Sequence, residues 1–338
     1  MNLFFVKGHG PKAYREEAVF NIPRNSRTAR VLGAVFNRNG YVVEQLSATI
    51  PVIRIIRRER PAVVFYSDSN IGFQLLRWRE KLGVPFKLLF SNGGPVTPPF
   101  PRTDYVHQVT PIAFEQAVTA GVSAERQRMI PYGISVPIGL PDTSDAMKKH
   151  VRERIGLPSE RKIVLSVGWI SATHKRMDHL IREVASLRSP RPYLALVGRM
   201  DETSEPVISL ASKLLGPQDF CAVSVPYERV AAFYLAADVF ALASLKEGFG
   251  RVFLEALIQG LPVIAHDDPV MRYVLGEEGI FVDMSKPGAL ASMLEEALGE
   301  SESPDKAALR RSFVRERFDW ERLAPAYADM FEDCARLE

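Results

Sequence analysis

Cysteine is scarce in this chain: two residues in 338, Cys221 and Cys334, far apart in sequence. That excludes a disulfide framework and a cysteine-based metal cluster, and it favours a reducing compartment. Long apolar runs are missing too. No stretch approaches the length that spans a bilayer, and the opening MNLFFVKGHG is too short in apolar residues for a signal peptide. His174, His179 and His266 lack metal-ligand spacing, and no G-x-G-x-x-G follows a strand-like run, which argues against a dinucleotide dehydrogenase.

Strong net charge is also absent, but the small total of +3 hides an asymmetry. Residues 1–150 carry 20 Lys and Arg against 11 Asp and Glu, a net of +9, whereas the remainder carries 23 against 29, a net of −6. A basic first half suits a phosphorylated acceptor, an acidic membrane surface or nucleic acid, and equally a plain solvated face. Arg54, Arg57, Arg58 and Arg60 cluster on one helical stretch, with Ile53 and Ile56 expected to face the core.

What is present is a repeated alternation of short apolar strands and amphipathic helices. At 338 residues the chain fits two domains. In the first half, strands are expected at 3–6, 42–45, 63–66, 87–90 and 105–109. Helices are expected after the Ser26 cap, burying Val31, Leu32, Val35 and Phe36, and at 52–59, 70–82 and 112–120. A proline-rich loop through Thr97, Pro98, Pro99 and Pro101 cannot be regular structure, and 137–145 reads as a linker. In the second half, strands are expected at 163–167, 193–197, 222–225, 239–243, 263–265 and 280–282. The fold class is therefore α/β: two doubly wound Rossmann-like domains with mainly parallel sheets, facing each other across a cleft.

The most informative stretch runs from Ser244 to His266, SLKEGFGRVFLEALIQGLPVIAH. Glu247 and Glu255 flank Gly248-Phe249-Gly250 at the mouth of a helix between two strands. Free N–H groups and the positive helix end suit a phosphate there. The acids lie too far apart for a close acid/base dyad, so each would accept hydroxyl hydrogen bonds from a different part of a polyhydroxy ligand.

This stretch resembles the signature of the retaining nucleotide-sugar glycosyltransferases of the GT-B class called family 4, also known as glycosyl transferases group 1. Supporting it are Gly260-Leu261-Pro262-Val263, the helix YERVAAFYLAAD at 227–238, the tail from Phe318-Asp319-Trp320, and residues 109–133. The resemblance implies an acceptor-binding domain over 1–140, a nucleotide-sugar-binding domain over 141–318, and a helix over 319–338 crossing back to the first domain.

It also implies site roles. Glu255 would hold the ribose hydroxyls and Glu247 the transferred sugar, with Gly248, Phe249 and Gly250 giving backbone contacts. Lys175, with Arg176 and Gly168 beside it, would hold the diphosphate. Family members carry an arginine after the glycine, where this chain has Trp169, and a glycine pair at the first long helix, where it has Asn25-Ser26. On the acceptor side the candidates are Asn92, Gly93, His107 and Thr110.

The resemblance implies transfer of a hexose-type sugar from a nucleotide diphosphate sugar to an acceptor hydroxyl, with retention. The acceptor would be a glycan, lipid-linked or a small molecule. No metal is expected, since the Asp-x-Asp pattern of metal-dependent sugar transferases is missing, and neither is a cofactor or a nucleic-acid partner. The expected location is cytoplasmic or peripheral at the inner membrane face. The rivals are a GT-B epimerase or phosphorylase, and a nucleotide-sugar-binding protein without activity.

Overall fold

A computed structural model of the chain describes residues 5–7, 16–94, 102–137, 139, 144–299 and 303–337. Leu3 and Phe4 of the first expected strand, the Gly8-His9-Gly10 segment, the proline-rich loop at 95–101 and linker positions 138 and 140–143 lie outside those residues. Contacts divide the chain into two compact units, Met1–Pro131 with Ala324–Glu338, and Tyr132–Leu323.

In the first unit, β1 (Phe5–Lys7) pairs in parallel with β2 (Glu16–Ala18). Next come α1 (Arg27–Phe36) and α2 (Gly40–Glu59). Ser26 starts α1 as expected, its hydroxyl accepting from the Ala29 N–H at 3.0 Å. The expected buried face of α1 is overturned. Ala29 and Gly33, one turn apart, are buried, while Val31, Val35 and Phe36 are 56%, 71% and 66% exposed. Close packing selects the small pair and turns Val31, Val35 and Phe36 outward, while Leu32 is half-buried.

The expected strand at 42–45 and separate helix at 52–59 are likewise replaced by one helix. Asn39 caps α2 by accepting from the Val42 N–H at 2.9 Å, and Val43, Ala48, Ile55 and Ile56 supply its buried stripe. Pro51, just ahead of the expected helix at 52–59, lies inside α2. An interior proline costs about 3 kcal/mol, which burial of that stripe offsets.

The unit continues with β3 (Val63–Tyr66), α3 (Ser69–Leu82), β4 (Lys87–Asn92), β5 (Tyr105–Gln108), α4 (Pro111–Thr119) and β6 (Gln127–Met129). The four strands form a parallel sheet in the order β3-β4-β5-β6. Phe90, Leu88, Leu75 and Tyr66 anchor its core. Each fully buried side chain of this size is worth about 1.5–3 kcal/mol.

The second unit runs α5 (Asp145–Ile155), β7 (Ile163–Val167), α6 (Met177–Ala185), β8 (Tyr193–Val197), α7 (Glu205–Leu214), β9 (Phe220–Val223), α8 (Tyr227–Ala236) and β10 (Val239–Ala241). It then adds α9 (Arg251–Ile258), β11 (Val263–His266), α10 (Pro269–Leu275), β12 (Gly279–Val282), α11 (Ala289–Gly299) and α12 (Pro304–Phe318). The final helix, α13 (Trp320–Arg336), clusters with the first unit from Ala324 onward. All six strands are parallel, in the order β12-β11-β10-β7-β8-β9. The order reverses between β10 and β7, so the connections leaving their carboxyl ends run in opposite directions, the usual ligand position in such sheets.

His107, on β5, is fully buried with both ring nitrogens engaged. Nε2 faces the Ile130 carbonyl at 2.8 Å, which can only accept, so Nε2 carries the proton. Nδ1 then accepts from the Ser91 hydroxyl at 3.0 Å. Burial lowers its pKa from 6.5 to about 4, the Ile130 contact opposing the shift. The unfolded chain therefore takes up a proton before the folded one does. This histidine's contribution to stability is complete above pH 6.5 and drains away as the pH falls toward 4, by about 3 kcal/mol. Denaturant unfolding followed across that window should lose stability more steeply in the wild type than in His107→Gln; parallel curves would refute it.

Candidate functional site

The candidate residues of the second unit gather at the sheet's carboxyl edge, on the loops after β7 and β10. These strands are neighbours, about 4.8 Å apart, although their loops are some 70 residues apart in sequence. The β10 loop presents Glu247, whose side chain is only 7% exposed. A carboxylate that deep requires partners. Ser244 donates to its Oε1 at 2.6 Å, and Lys175 Nζ from the β7 loop reaches the same oxygen at 2.6 Å. Among the described residues, Oε2 is approached only by the His174 ring, at 3.7 Å. One carboxylate oxygen is thus held by protein, and the other is available to accept from a ligand hydroxyl.

Lys175 uses one of its three N–H donors on Glu247, leaving two for anionic oxygens. Its stem runs beside Gly168, where an added Cβ would stand 3.5 Å from Cε. Gly198, after β8, has a stricter requirement. A Cβ there would lie 1.9 Å from the Gly168 carbonyl oxygen, so only glycine lets the two loops meet. Arg176 is engaged differently from its neighbour. It donates to the carbonyls of Ala243 at 3.3 Å and Met284 at 2.9 Å, tying the ends of β10 and β12 to α6. Trp169 lies beneath the Arg199 guanidinium, 5.5 Å from ring to cation.

The glycine loop is packed on one side. Phe249 is 2% exposed and packs edge-on against Tyr132 and Phe318 at 5.5 and 5.9 Å. Gly250 takes the left-handed conformation, φ 77°, to open α9. The first turn of α9 leaves N–H groups without intrahelical partners, at the positive end of its dipole. The far end of α9 is neutralised by Arg310, which donates to the Gly260 carbonyl at 2.9 Å, and by Arg311, which donates to the Gln259 carbonyl at 3.0 Å.

Glu255 lies on α9 itself, partly buried, and both of its oxygens accept phenol hydroxyls: Oε1 from Tyr227 at 3.1 Å and Oε2 from Tyr234 at 3.0 Å. Sequence reasoning missed these tyrosines. The available signal was their seven-residue spacing on α8, which puts both on one stripe. It also missed Asp268, which caps α10 through the Val270 and Met271 N–H groups while its Oδ2 is buried without a partner. Burial raises the Asp268 pKa above its usual value, and the nearby Glu247 charge adds to the rise.

The acceptor-side candidates are all in the first unit. Asn92 ends β4 rather than following it, buried to 2% exposure. Its amide donates to Gln108 Oε1 at 2.9 Å and Gln108 donates to Gln127 Oε1 at 2.9 Å, a ladder across three strands, while Asn92 Oδ1 has no partner. Thr110 caps α4 by accepting from the Ala113 N–H at 3.2 Å. His107 makes the two contacts described above, and Gly93 follows the end of β4. Among the described residues, no group of three or more His, Cys, Asp or Glu is arranged to hold a metal ion, and no helix is long and apolar enough to cross a membrane.

Residues 147–310 match the family model described as glycosyl transferases group 1. Over 223 residues the chain is 29% identical to a D-inositol 3-phosphate glycosyltransferase of Xylanimonas cellulosilytica, covering 64% of this chain and 53% of that protein. The chain spans about half the length of the curated relatives it matches. Among solved structures, sucrose-phosphate synthase from Thermosynechococcus elongatus has a TM-score of 0.72 at 20% identity, covering 94% of this chain and 82% of its own. HepE from Anabaena, in complex with UDP-glucose, has a TM-score of 0.73 at 17% identity, covering 94% and 85%. At such identities the likeness is one of fold. Residues 147–310 thus resemble the glycosyl transferases group 1, and the whole chain shares the GT-B fold of these neighbours.

Proposed function

We propose that the chain transfers a hexose-type sugar from a nucleotide diphosphate sugar to an acceptor hydroxyl, with retention at the anomeric carbon and without a metal. The observation that carries this reading is the Lys175–Glu247 pair at the point where the strand order of the second unit reverses. It places a cation with spare donors beside a carboxylate with one free oxygen, next to the open helix end of α9. A nucleotide diphosphate sugar has matching parts. Its sugar hydroxyls meet Glu247 Oε2, its diphosphate meets Lys175 and the α9 N–H groups, and its ribose meets Glu255.

In this reading the acceptor hydroxyl attacks from the same face that the diphosphate leaves. The bond from the anomeric carbon to the leaving oxygen breaks, the bond to the acceptor oxygen forms, and the acceptor proton passes to a phosphate oxygen. Negative charge grows on the leaving diphosphate, and Lys175 stabilises it in place. The acceptor, a glycan, a lipid-linked molecule or a small molecule, is assigned to the first unit. The basic balance of residues 1–150 supports a contact with an anionic membrane surface at the cytoplasmic side.

Removing the cation should cost catalysis more than binding. Lys175→Ala is expected to lower kcat by about 10²–10³-fold in a donor-consumption assay, and an unchanged kcat would reject its assignment. Glu255→Ala should instead weaken donor binding, raising KM by about tenfold or more through loss of charge-assisted hydrogen bonds. If both variants titrated and turned over like the wild type, the donor site would lie elsewhere.

A further inference from the structure

The phenols on Glu255 go beyond the roles assigned so far. Tyr227 and Tyr234 project from one stripe of α8, and each donates to a different oxygen of the same carboxylate, at 3.1 and 3.0 Å. Their surroundings differ: Tyr234 is 2% exposed and Tyr227 is 71% exposed. We propose that these two tyrosines are positioning residues that preset Glu255 as a two-point acceptor for the vicinal hydroxyls of a ribose, so that they set the preference for ribonucleotides over 2′-deoxyribonucleotides. This inference rests on the reading of Glu255 as the ribose ligand.

The stereochemistry is that of a saturated carboxylate. Its two oxygens offer about four lone-pair sites. One phenol per oxygen fills two of them and leaves one on each oxygen, a pair of acceptors held side by side in the plane of the carboxylate. The cis-diol of a ribose offers two hydroxyl donors in the matching arrangement; a 2′-deoxyribose offers one. Without the phenols the carboxylate plane would be free to turn about its terminal torsion, which is broad and soft. A single hydroxyl would then satisfy it nearly as well as two, and the discrimination would fall.

The tyrosines suit this task because they remain donors. Burial, with the Glu255 charge as a further contribution, raises the pKa of both above the ordinary value of 10, so neither ionises near neutral pH. Tyr234 is fixed in the packing between α8 and the sheet, where its ring lies 5.8 Å from Phe240. Tyr227, at the start of α8 and open to solvent, is the half of the clamp that a ligand reaches.

The test is calorimetric titration of the full chain with UDP, GDP, ADP and CDP and with the 2′-deoxy form of whichever binds. Four proteins are compared: wild type, Tyr227→Phe, Tyr234→Phe and Glu255→Ala. The expected result is that each Tyr→Phe change weakens the ribonucleotide about 5–20-fold and leaves the deoxynucleotide within about twofold, so the ribo-to-deoxy ratio collapses toward that of Glu255→Ala. A ratio unchanged in both tyrosine variants, with Glu255→Ala still abolishing it, overturns the inference and spares the ribose assignment. If Glu255→Ala keeps the wild-type ratio, or if no nucleoside diphosphate binds the wild type, the reading of Glu255 itself falls. Should the buried Tyr234→Phe fail to fold, the exposed Tyr227→Phe decides alone.

Discussion

The structure of the second unit turns on one buried charge. Glu247 has almost no access to water, so it is tolerable only because Ser244 and Lys175 meet the same oxygen at 2.6 Å. Taking two charges out of water costs several kcal/mol each, and their attraction returns that cost only when geometry is good and the remaining hydrogen-bond sites are met. The geometry here is supplied by strand pairing. β7 and β10 are adjacent and parallel, and Gly198 lets the β8 loop close on Gly168, against which the Lys175 stem lies. A pair like this adds little to stability by itself. Its consequence is chemical: among the described residues it holds an ammonium with two further donors beside a carboxylate oxygen that only the His174 ring approaches, at 3.7 Å.

The second acid is held by a different device. Glu255 is carried by α9, a helix of eight residues that would be marginal alone. Its amino end is opened by a left-handed glycine, and the carbonyls at its other end are met by Arg310 and Arg311 from α12. Gly260 makes this possible, since a Cβ there would stand 2.7 Å from Arg311 Nη2. The charges of α12 therefore contribute to the position of Glu255 even though they do not touch it. The two acids are separated by eight positions and by two kinds of support, which fits contacts to separate parts of one extended ligand.

Much of this was legible in the sequence, and the parts that were not have physical reasons. The strands of the second unit were readable because fully buried parallel strands appear as short apolar runs: 163–167 and 193–197 match residue for residue. The helix at 40–59 was not, because Pro51 lies inside it and its cost is met by packing that composition does not reveal. The buried face of α1 was misread because a close approach favours Ala29 and Gly33 over the larger apolar residues. Glu247, Glu255 and Lys175 were nameable one by one, but the Lys175–Glu247 bond joins loops whose proximity follows from strand order alone. Tyr227 and Tyr234 were hidden for a related reason, since aromatic residues at helical spacing ordinarily mean core.

The central claim is that the loops after β7 and β10, with the first turns of α9, form one nucleotide-diphosphate site. Hydrogen exchange of the full chain, with and without a saturating nucleoside diphosphate, tests it most directly, because it reports on backbone amides. The account predicts slowed exchange concentrated in residues 168–176 and 248–255, with the first unit unchanged. Binding accompanied by protection elsewhere, with those two segments unaltered, would contradict it.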